Sequence, residues 1–254
     1  EDPFIIAGGP CVYNPEPLAD IIDIFVIGEA EYIIFEILDS YKKWKETSDD
    51  KDAFLKSISK IQGIYIPKFY DINYNEDNTI KSMEPNVKDV PRKIKKRIIS
   101  DLNESYYPEK VIVPYIEIVH SRIGLEIFRG CTRGCRFCQA GMIYRPVREK
   151  STETLLKQSE KLVKSTGYDD ISLISLSSCD YSNLDVLIRE LINKYGEKRV
   201  GVSLPSLRLD SFTKDVIQEI ERVRKTGLTF APEAGSQRLR DVINKGVTEE
   251  DLER

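Results

Sequence analysis

Strand and helix patterns alternate along the second half of this chain, and this alternation limits the fold more than any other feature of the sequence. Apolar, β-branched strand patterns at residues 125–128, 171–176, 200–204 and 228–230 alternate with amphipathic helix patterns at 152–165, 184–195 and 211–225. Residues 242–253 are predicted to begin another helical segment. Such βα repeats predict a parallel sheet with right-handed crossovers, either open or curved into a barrel. In a β/α barrel the chemistry lies at the carboxyl ends of the strands.

The first 62 residues predict part of a separate α/β module. A strand at residues 4–7, a Gly8-Gly9-Pro10 turn, a strand at 24–27 and a helix at 29–46 follow one another, as in a doubly wound unit. The helix is expected to bury an apolar face consisting of Ile33, Ile34, Ile37, Leu38 and Tyr41. Residues 1–41 contain nine acidic and no basic residues, and this charge segregation also indicates a separate module.

Residues 63–119 are interpreted as a linker or small β layer. Strand patterns at 64–66 and 69–74, turn chemistry at 75–78 and a returning strand at 79–83 predict a hairpin. The segment 88–97 then carries six basic residues, which are Lys88, Arg92, Lys93, Lys95, Lys96 and Arg97. A solvated face is the default interpretation of such a run, and RNA is the candidate partner because a local basic cluster supplies electrostatic affinity.

Composition excludes several broad classes of protein. The net charge of −4 gives no whole-molecule field for a polyanion, and no apolar run reaches the length of a membrane span. Five cysteines in 254 residues, an odd count with three close together, favour metal binding over disulfides and a reducing, cytoplasmic location. The chain starts with Glu1 and reaches a strand pattern almost at once, so we expect it to be a fragment.

Three of the five cysteines follow the first strand of the repeated region directly. Cys131, Cys135 and Cys138 have the spacing C-x3-C-x2-C, which allows one loop to supply three thiolates to an iron–sulfur cluster. Gly130 and Gly134 ease the turns of this loop. Three thiolates on a four-iron cluster leave one iron open, as a cluster that binds a substrate or cofactor requires.

Zinc is the competing interpretation of these cysteines. His120, eleven residues before Cys131, is the one histidine available for a Cys3His site, but there is no second pair of cysteine ligands. Iron–sulfur therefore ranks above zinc, and His120 is interpreted as structural. Arg129, Arg133 and Arg136 keep the loop polar and favour thiolates. Cys11 and Cys179 are expected to be ordinary, partly buried residues.

The cysteine loop and its flanks resemble the radical S-adenosylmethionine (SAM) superfamily. The similar stretch begins at Glu126, contains the three cysteines, continues through Gln139-Ala140-Gly141 and ends at Arg148. Residues 4–45, with Gly8-Gly9-Pro10 and Gly28-Glu29-Ala30-Glu31, resemble the second half of a cobalamin-binding domain. Together these matches, over 4–45 and about 116–254, resemble an uncharacterised subfamily with an amino-terminal cobalamin-binding-like domain.

This resemblance implies a fold and a domain order. The fold is α/β, with a partial (β/α) barrel of the radical SAM type preceded by part of a Rossmann-like domain of the cobalamin-binding type. About four of the family's six βα units are visible before the chain stops. The predicted domains are a partial Rossmann-like domain at 1–62, the linker or small β layer at 63–119, and a carboxyl-terminally incomplete radical SAM core at 120–254.

The resemblance also implies a mechanism and its cofactors. A [4Fe-4S] cluster on Cys131, Cys135 and Cys138 would bind the amino and carboxylate groups of SAM at its open iron. One electron from an external reductant of the flavodoxin or ferredoxin type would then cleave SAM to methionine and a 5′-deoxyadenosyl radical. The sequence does not identify the substrate from which that radical abstracts hydrogen.

Ten further residues take positions that contact SAM in this family. Phe137 takes the position that lies beside adenine in the family, and Ser177, Ser178 and Asp180 take the position where the family often has Gly-Gly-Glu at the methionine amine. Ser203, Ser206 and Arg208 take positions for the ribose and the carboxylate. Glu233, Gly235 and Ser236 match the family motif Glu-x-Gly-Ser. The alternative roles are structural, because Ser206 and Ser236 could cap helices and Arg208 could pair with Asp210.

Cobalamin is not assigned through a histidine ligand, because the pattern Asp-x-His-x-x-Gly is missing and His120 lies outside the Rossmann-like part. Two alternatives to a radical SAM enzyme stay open at this point. One is an iron–sulfur redox or binding module without SAM cleavage. The other is a zinc-stabilised nucleic-acid adaptor that uses the basic run.

Overall fold

The computed structural model describes residues 3–116, 118–205, 207–209 and 230–253. The chain divides into two units, Glu1–Ile99 and Ser100–Arg254. This division differs from the three predicted segments, because residues 63–99 belong to the first unit and 100–119 to the second. The physical reason is that Ile64, Tyr65, Phe69 and Tyr70 are buried in the core of the first unit. None of the described helices is long and apolar enough to cross a membrane.

The first unit contains a three-stranded sheet of mixed direction. Strands β1 (Ile6–Gly8) and β2 (Ile24–Val26) are parallel, with Ile6 opposite Ile24. Strand β3 (Ile64–Tyr65) pairs antiparallel with β2. All three residues of β2 are buried, as expected for a central strand. The two predicted strands are confirmed, while the antiparallel third strand departs from a purely parallel doubly wound unit. Two short 3-10 helices, Pro10–Tyr13 and Glu16–Leu18, lie between β1 and β2.

Two helices follow β2. Helix α1 (Ile33–Thr47) buries Ile33, Ile37 and Trp44, whereas Ile34 and Leu38 are exposed. The predicted apolar face was therefore too wide, because the buried stripe is confined to the positions nearest the sheet. Helix α2 (Lys51–Ile58) begins at Asp50, whose side chain accepts a hydrogen bond from the Asp52 backbone N–H at 2.9 Å. This is ordinary N-terminal capping.

The predicted hairpin is present in the first unit. Strand β4 (Tyr70–Tyr74), preceded by the 3-10 helix Pro67–Phe69, pairs antiparallel with β5 (Ile80–Pro85). The basic run that follows returns to the sheet, where Arg97 forms a backbone bridge with Gly28. Gly28 has φ 115°, and a Cβ atom there would lie 2.2 Å from the Arg97 carbonyl oxygen. Only glycine can take this position.

The second unit is built on a parallel sheet in the order β10-β9-β6. Its strands are β6 (Ile123–Glu126), β9 (Asp170–Ile174) and β10 (Gly201–Ser203). Consecutive parallel strands are neighbours, as the βα repeats predict. The predicted helix at 211–225 lies outside the described residues, as do Leu228 and Thr229 of the predicted fourth strand.

Helices α4 (Thr152–Thr166) and α5 (Leu184–Tyr195) connect these strands and bury one face each. The Ser151 hydroxyl caps α4 by accepting from the Thr154 N–H at 3.2 Å, and Gly167 ends it in the left-handed conformation. Leu155 of α4 and Leu187 and Leu191 of α5 are fully buried against the sheet. The predicted helix at 242–253 is replaced by two short helices, α6 (Gln237–Val242) and α7 (Glu249–Glu253), because Asn244 and Gly246 take positive φ angles between them.

Candidate iron–sulfur and SAM site

The cysteine loop is closed at its base by two short strands. Strand β7 (Phe128–Arg129) continues from β6 and pairs antiparallel with β8 (Arg148–Glu149). Residues 130–147, including the short helix α3 (Ala140–Ile143), form the loop between them. Gly130 opens the loop with φ 94°, and a Cβ atom there would lie 2.6 Å from the Pro146 carbonyl oxygen. The close approach of the two ends of the loop therefore requires glycine.

All three cysteines of the loop are free and partly exposed. The Cys138 N–H donates to the Cys135 carbonyl at 3.1 Å, and Arg145 Nε donates to the Cys131 carbonyl at 3.3 Å. Of the other two cysteines, Cys179 packs against the core of the second unit, as expected. Cys11 is exposed, so the prediction of partial burial was wrong for it, because it lies in a short 3-10 helix that buries only Val12.

Arg208 brings a positive charge to the cysteine loop from the segment after β10. One of its terminal nitrogens lies 4.0 Å from Cys135 Sγ, and the other donates to the Lys245 carbonyl at 2.6 Å. Its suggested partner Asp210 lies outside the described residues. A guanidinium here is next to a sulfur atom that must be negatively charged when it ligates iron.

Arg133, between the first two cysteines, forms a two-point ion pair with Asp180, which follows β9. Arg133 Nε donates to Asp180 Oδ2 at 2.9 Å, and a terminal nitrogen of Arg133 contacts the other carboxylate oxygen. Burial raises the pKa of Asp180, but the hydrogen bonds and the charge of Arg133 outweigh it and hold the pKa below its usual value. The pair joins the loop to the carboxyl end of the second parallel strand.

The carboxyl-terminal segment after α6 also binds the cysteine loop. Asn244 Nδ2 donates to the carbonyls of Gly134 at 2.9 Å and Arg133 at 3.3 Å, and the Arg136 N–H donates to the Ile243 carbonyl at 2.9 Å. Sequence reasoning missed Asn244. The sequence Asn244-Lys245-Gly246 predicts a turn, but it does not predict which residues the Asn244 side chain contacts.

The serines at the strand ends have different surroundings. Ser178 is buried and shares a hydrogen bond of 3.0 Å with the Ser175 hydroxyl, and Ser177 is buried beside it. Ser203 Oγ, at the end of β10, is also buried, and neither Ser203 Oγ nor Ser177 Oγ has a hydrogen-bond partner within the described structure. Ser206 lies outside the described residues. An unpartnered buried hydroxyl at the carboxyl end of a parallel strand is suited to a ligand.

The remaining predicted contacts lie before and at the start of α6. Glu233 has φ 69° and pairs with Lys245 Nζ at 3.1 Å, and Gly235 follows it. Ser236 caps α6 by accepting from the Leu239 N–H at 3.4 Å, so its structural alternative is realised. Phe137, between the second and third cysteines, is 55% exposed, so its ring is accessible to a ligand.

His120 is exposed, and its Nδ1 lies 2.6 Å from a terminal nitrogen of Arg122. Within the part of the chain that the structure describes, no three His, Cys, Asp or Glu side chains are arranged to hold a single metal ion. A [4Fe-4S] cluster makes a different demand, since each thiolate ligates its own iron. Three free thiols within eight residues, with Arg208 beside one of them, fit that demand.

A parallel β/α sheet with a three-thiol loop after its first strand defines an α/β protein with a candidate metal-binding loop at the carboxyl end of a strand. Two family descriptions match the sequence, "Radical SAM superfamily" over residues 125–254 and "Radical SAM proteins, N-terminal" over residues 1–67. The first match covers just over half of the chain. The chain belongs to the radical SAM superfamily.

Among curated proteins, the chain is 33% identical to uncharacterized protein MJ0966 of Methanocaldococcus jannaschii over 98% of this chain and 47% of that protein. It is 28% identical to the threonylcarbamoyladenosine tRNA methylthiotransferase MtaB of Bacillus subtilis over 50% of this chain and 29% of that protein. The chain therefore spans about half the length, or less, of these curated relatives.

Among solved structures, the chain resembles the radical S-adenosylmethionine methyltransferase TsrM of Kitasatospora setae, determined with cobalamin and a [4Fe-4S] cluster bound. The TM-score is 0.58 at 13% identity, over 100% of this chain and 47% of TsrM. A second TsrM structure, with tryptophan and a SAM analogue bound, gives the same TM-score at 16% identity over 98% of this chain and 46% of TsrM. At these identities the similarity shows the fold alone.

Proposed function

We propose that this chain is the core of a radical SAM enzyme. Cys131, Cys135 and Cys138 would hold a [4Fe-4S] cluster with one open iron. The observation that carries the proposal is the set of three free thiols on the loop that leaves the first strand of a parallel β/α sheet. Membership of the radical SAM superfamily supports it.

When bound, the cluster would bind SAM and supply the electron that cleaves it to methionine and a 5′-deoxyadenosyl radical. The residues of this chain have other tasks. Arg208 places positive charge beside Cys135, Arg133 and Asp180 fix the loop to the sheet, and Asn244 supports the backbone of the loop. These contacts position the thiols, so ordering the loop costs less when the cluster binds.

For SAM itself, the contacts in the structure favour some of the residues implied by the family resemblance over others. Ser177 and Ser203 each have a buried hydroxyl without a hydrogen-bond partner in the described structure, and Phe137 has an exposed ring. Ser178 and Ser236 already form hydrogen bonds within the protein, and Asp180 pairs with Arg133. We therefore propose Ser177, Ser203 and Phe137 as primary SAM contacts, with Ser206, Arg208, Glu233 and Gly235 as further candidates.

The substrate and partners of the whole protein are also proposals. The proposed cleavage of SAM requires one electron, and an external reductant of the flavodoxin or ferredoxin type is the candidate source. RNA remains the candidate partner of the basic run, in which Arg92, Lys93 and Lys95 are exposed. That one relative is a tRNA methylthiotransferase supports this candidate.

The TsrM structure contains bound cobalamin. The one histidine of this chain, His120, lies in the second unit, so the first unit has no histidine that could ligate the cobalt of cobalamin.

Anaerobic reconstitution with iron and sulfide tests the proposed function. The wild-type chain should take up four irons per chain, as the three-thiolate [4Fe-4S] interpretation requires. Saturating SAM should then change the paramagnetic resonance signal of the reduced cluster, because a ligand on the open iron alters its electronic environment. One zinc per chain without iron uptake would refute the cluster. Iron uptake with a signal that SAM leaves unchanged would instead favour an iron–sulfur module without SAM cleavage.

A further inference from the structure

The second unit contains a cavity of about 280 Å3 beside its edge strand β6. Strand β6 and helix α4 line one side of it, and residues 106–108 with Val111 line another. Lys161 of α4 pairs with Glu109 and lies 6.0 Å above the Tyr107 ring, which ties this second wall to the helix. No cysteine lines the cavity. Its volume lies just below the usual range of about 300–1,000 Å3 for ligand pockets, so it suits a small molecule.

The charged groups around this cavity are unbalanced. Three cationic residues, Arg122, Arg129 and Lys150, line it with a single acidic residue, Glu126, which gives an excess of two positive charges. Glu126 accepts from Arg129 at 2.7 and 3.1 Å and also lies 3.6 Å from Lys150 Nζ. Lys150 is 97% buried, since its relative exposure is 3%. A cavity lined by more cationic than acidic side chains favours an anionic ligand.

Gln158 of α4 adds an unused hydrogen-bond donor to the same cavity. Its side chain is 2% exposed, and its Oε1 lies 3.5 Å from Lys150 Nζ. Its Nε2 is buried without a hydrogen-bond partner in the described structure. Leaving a buried amide N–H unpaired is costly, and an acceptor oxygen from a ligand would remove that cost. Because Nε2 and Oε1 are bonded to the same carbon, the unpaired N–H group and the Lys150 ammonium line the same part of the cavity, where one carboxylate can reach both.

We propose that this cavity binds a small organic carboxylate. The carboxylate oxygens would accept hydrogen bonds from Gln158 Nε2 and Lys150 Nζ, while the apolar body of the ligand packs on Tyr107, Tyr168 and Leu162, which line the same space. None of the proposed cluster ligands or SAM contacts lines this cavity. It is therefore tested in the absence of iron, and its failure would leave the proposed function untouched.

Isothermal titration of the 254-residue chain with benzoate, acetate and inorganic phosphate tests the proposal. Benzoate should bind at least about tenfold more tightly than acetate, because only benzoate fills the apolar part of the cavity. Lys150→Met and Gln158→Met should each weaken benzoate about tenfold, as expected for loss of a hydrogen bond to a charged group. Lys157→Met is the matched control, because Lys157 is exposed on the same helix and should leave affinity unchanged.

Several outcomes would overturn the proposal. The first is that benzoate does not bind to the wild-type chain, and the second is that wild type and Gln158→Met bind benzoate with equal affinity. The third is that phosphate binds as tightly as benzoate, which would indicate a general anion site. If Lys150→Met does not fold, Gln158→Met decides, because it replaces a side chain whose Nε2 is unpaired with an apolar side chain of similar volume and should keep the fold intact.

Discussion

Arg133 Nε donates to Asp180 Oδ2 at 2.9 Å, across 47 positions of the sequence. Arg133 lies between the first two cysteines of the loop, and Asp180 lies just after β9, so this pair links the proposed cluster ligands to the parallel sheet. Both side chains are about one-third exposed or less. A pair in this partly buried setting contributes more to stability than a surface pair, and breaking it leaves the other charge poorly solvated.

Replacing Asp180 tests this link and its pH dependence. The pKa of Asp180 is below its usual value of 3.8, so its contribution is present above that value and is lost as the pH falls through the lower, folded-state pKa. We expect Asp180→Asn to lower the free energy of unfolding at neutral pH by about 1–3 kcal/mol. The difference from wild type should shrink as the pH falls below 3.8.

Urea unfolding at neutral and acidic pH measures both effects. Glu153→Gln is the control, because Glu153 pairs with Lys157 on the exposed face of α4 and its loss should change stability little. Equal stability of Asp180→Asn and wild type at neutral pH would show that the ion pair does not hold the loop.

The cysteine ligands are tested by single substitutions. Cys131→Ala, Cys135→Ala or Cys138→Ala should each abolish stable cluster binding, because each thiolate occupies one corner and the loop has no fourth cysteine. Iron and sulfide content after anaerobic reconstitution is the measurement. Cys11→Ala, in the first unit, should retain wild-type iron content. Iron retention in all three loop variants would contradict the assignment.

Gly130 should tolerate no side chain. Alanine there would place Cβ 2.6 Å from the Pro146 carbonyl oxygen and 2.9 Å from that of Tyr144, in a backbone conformation with φ 94°. We expect Gly130→Ala to cost at least about 2 kcal/mol through clash and backbone strain, and to reduce iron uptake. Gly141→Ala is the matched control in the same loop, since nothing lies within 4 Å of its Cβ position. Similar thermal midpoints for the two variants would refute the close approach.

Ser203 should affect SAM binding and not stability. Its buried hydroxyl has no partner in the described structure, so Ser203→Ala should leave the thermal midpoint unchanged or raise it slightly while weakening SAM binding to the reconstituted protein. Ser159→Ala is the opposite control, because the Ser159 hydroxyl is bonded to Tyr195 and to the Leu156 carbonyl. That variant should lose about 1 kcal/mol of stability without a change in SAM affinity. A Ser203→Ala protein with wild-type SAM affinity would remove Ser203 from the proposed site.

Much of the second unit could be predicted from the sequence, because its signals are local. Helix α5 spans the predicted residues 184–195, and α4 extends one residue beyond its predicted range. Apolar periodicity, the Ser151 cap and Gly167 act within a few residues, so the sequence carries them directly. The family resemblance likewise depends on the contiguous residues around Cys131, Cys135 and Cys138.

Other features depend on contacts that sequence spacing does not contain. Arg208 reaches Cys135 across 73 positions, and Asn244 reaches Gly134 across 110. The exposure of Ile34 and Leu38 in α1 also depends on which elements pack on that helix.

The sequence by itself determined the alternation of strands and helices and the position of the three thiols on the loop that follows the first strand. Only the tertiary structure decided that Gly130 must be glycine, that Arg133 pairs with Asp180, that Arg208 lies beside Cys135, and that the Ser177 and Ser203 hydroxyls have no partner within the described structure. The physical reason is that helix and strand periodicity arises between near neighbours, whereas these side-chain contacts depend on where the whole backbone path brings distant residues together.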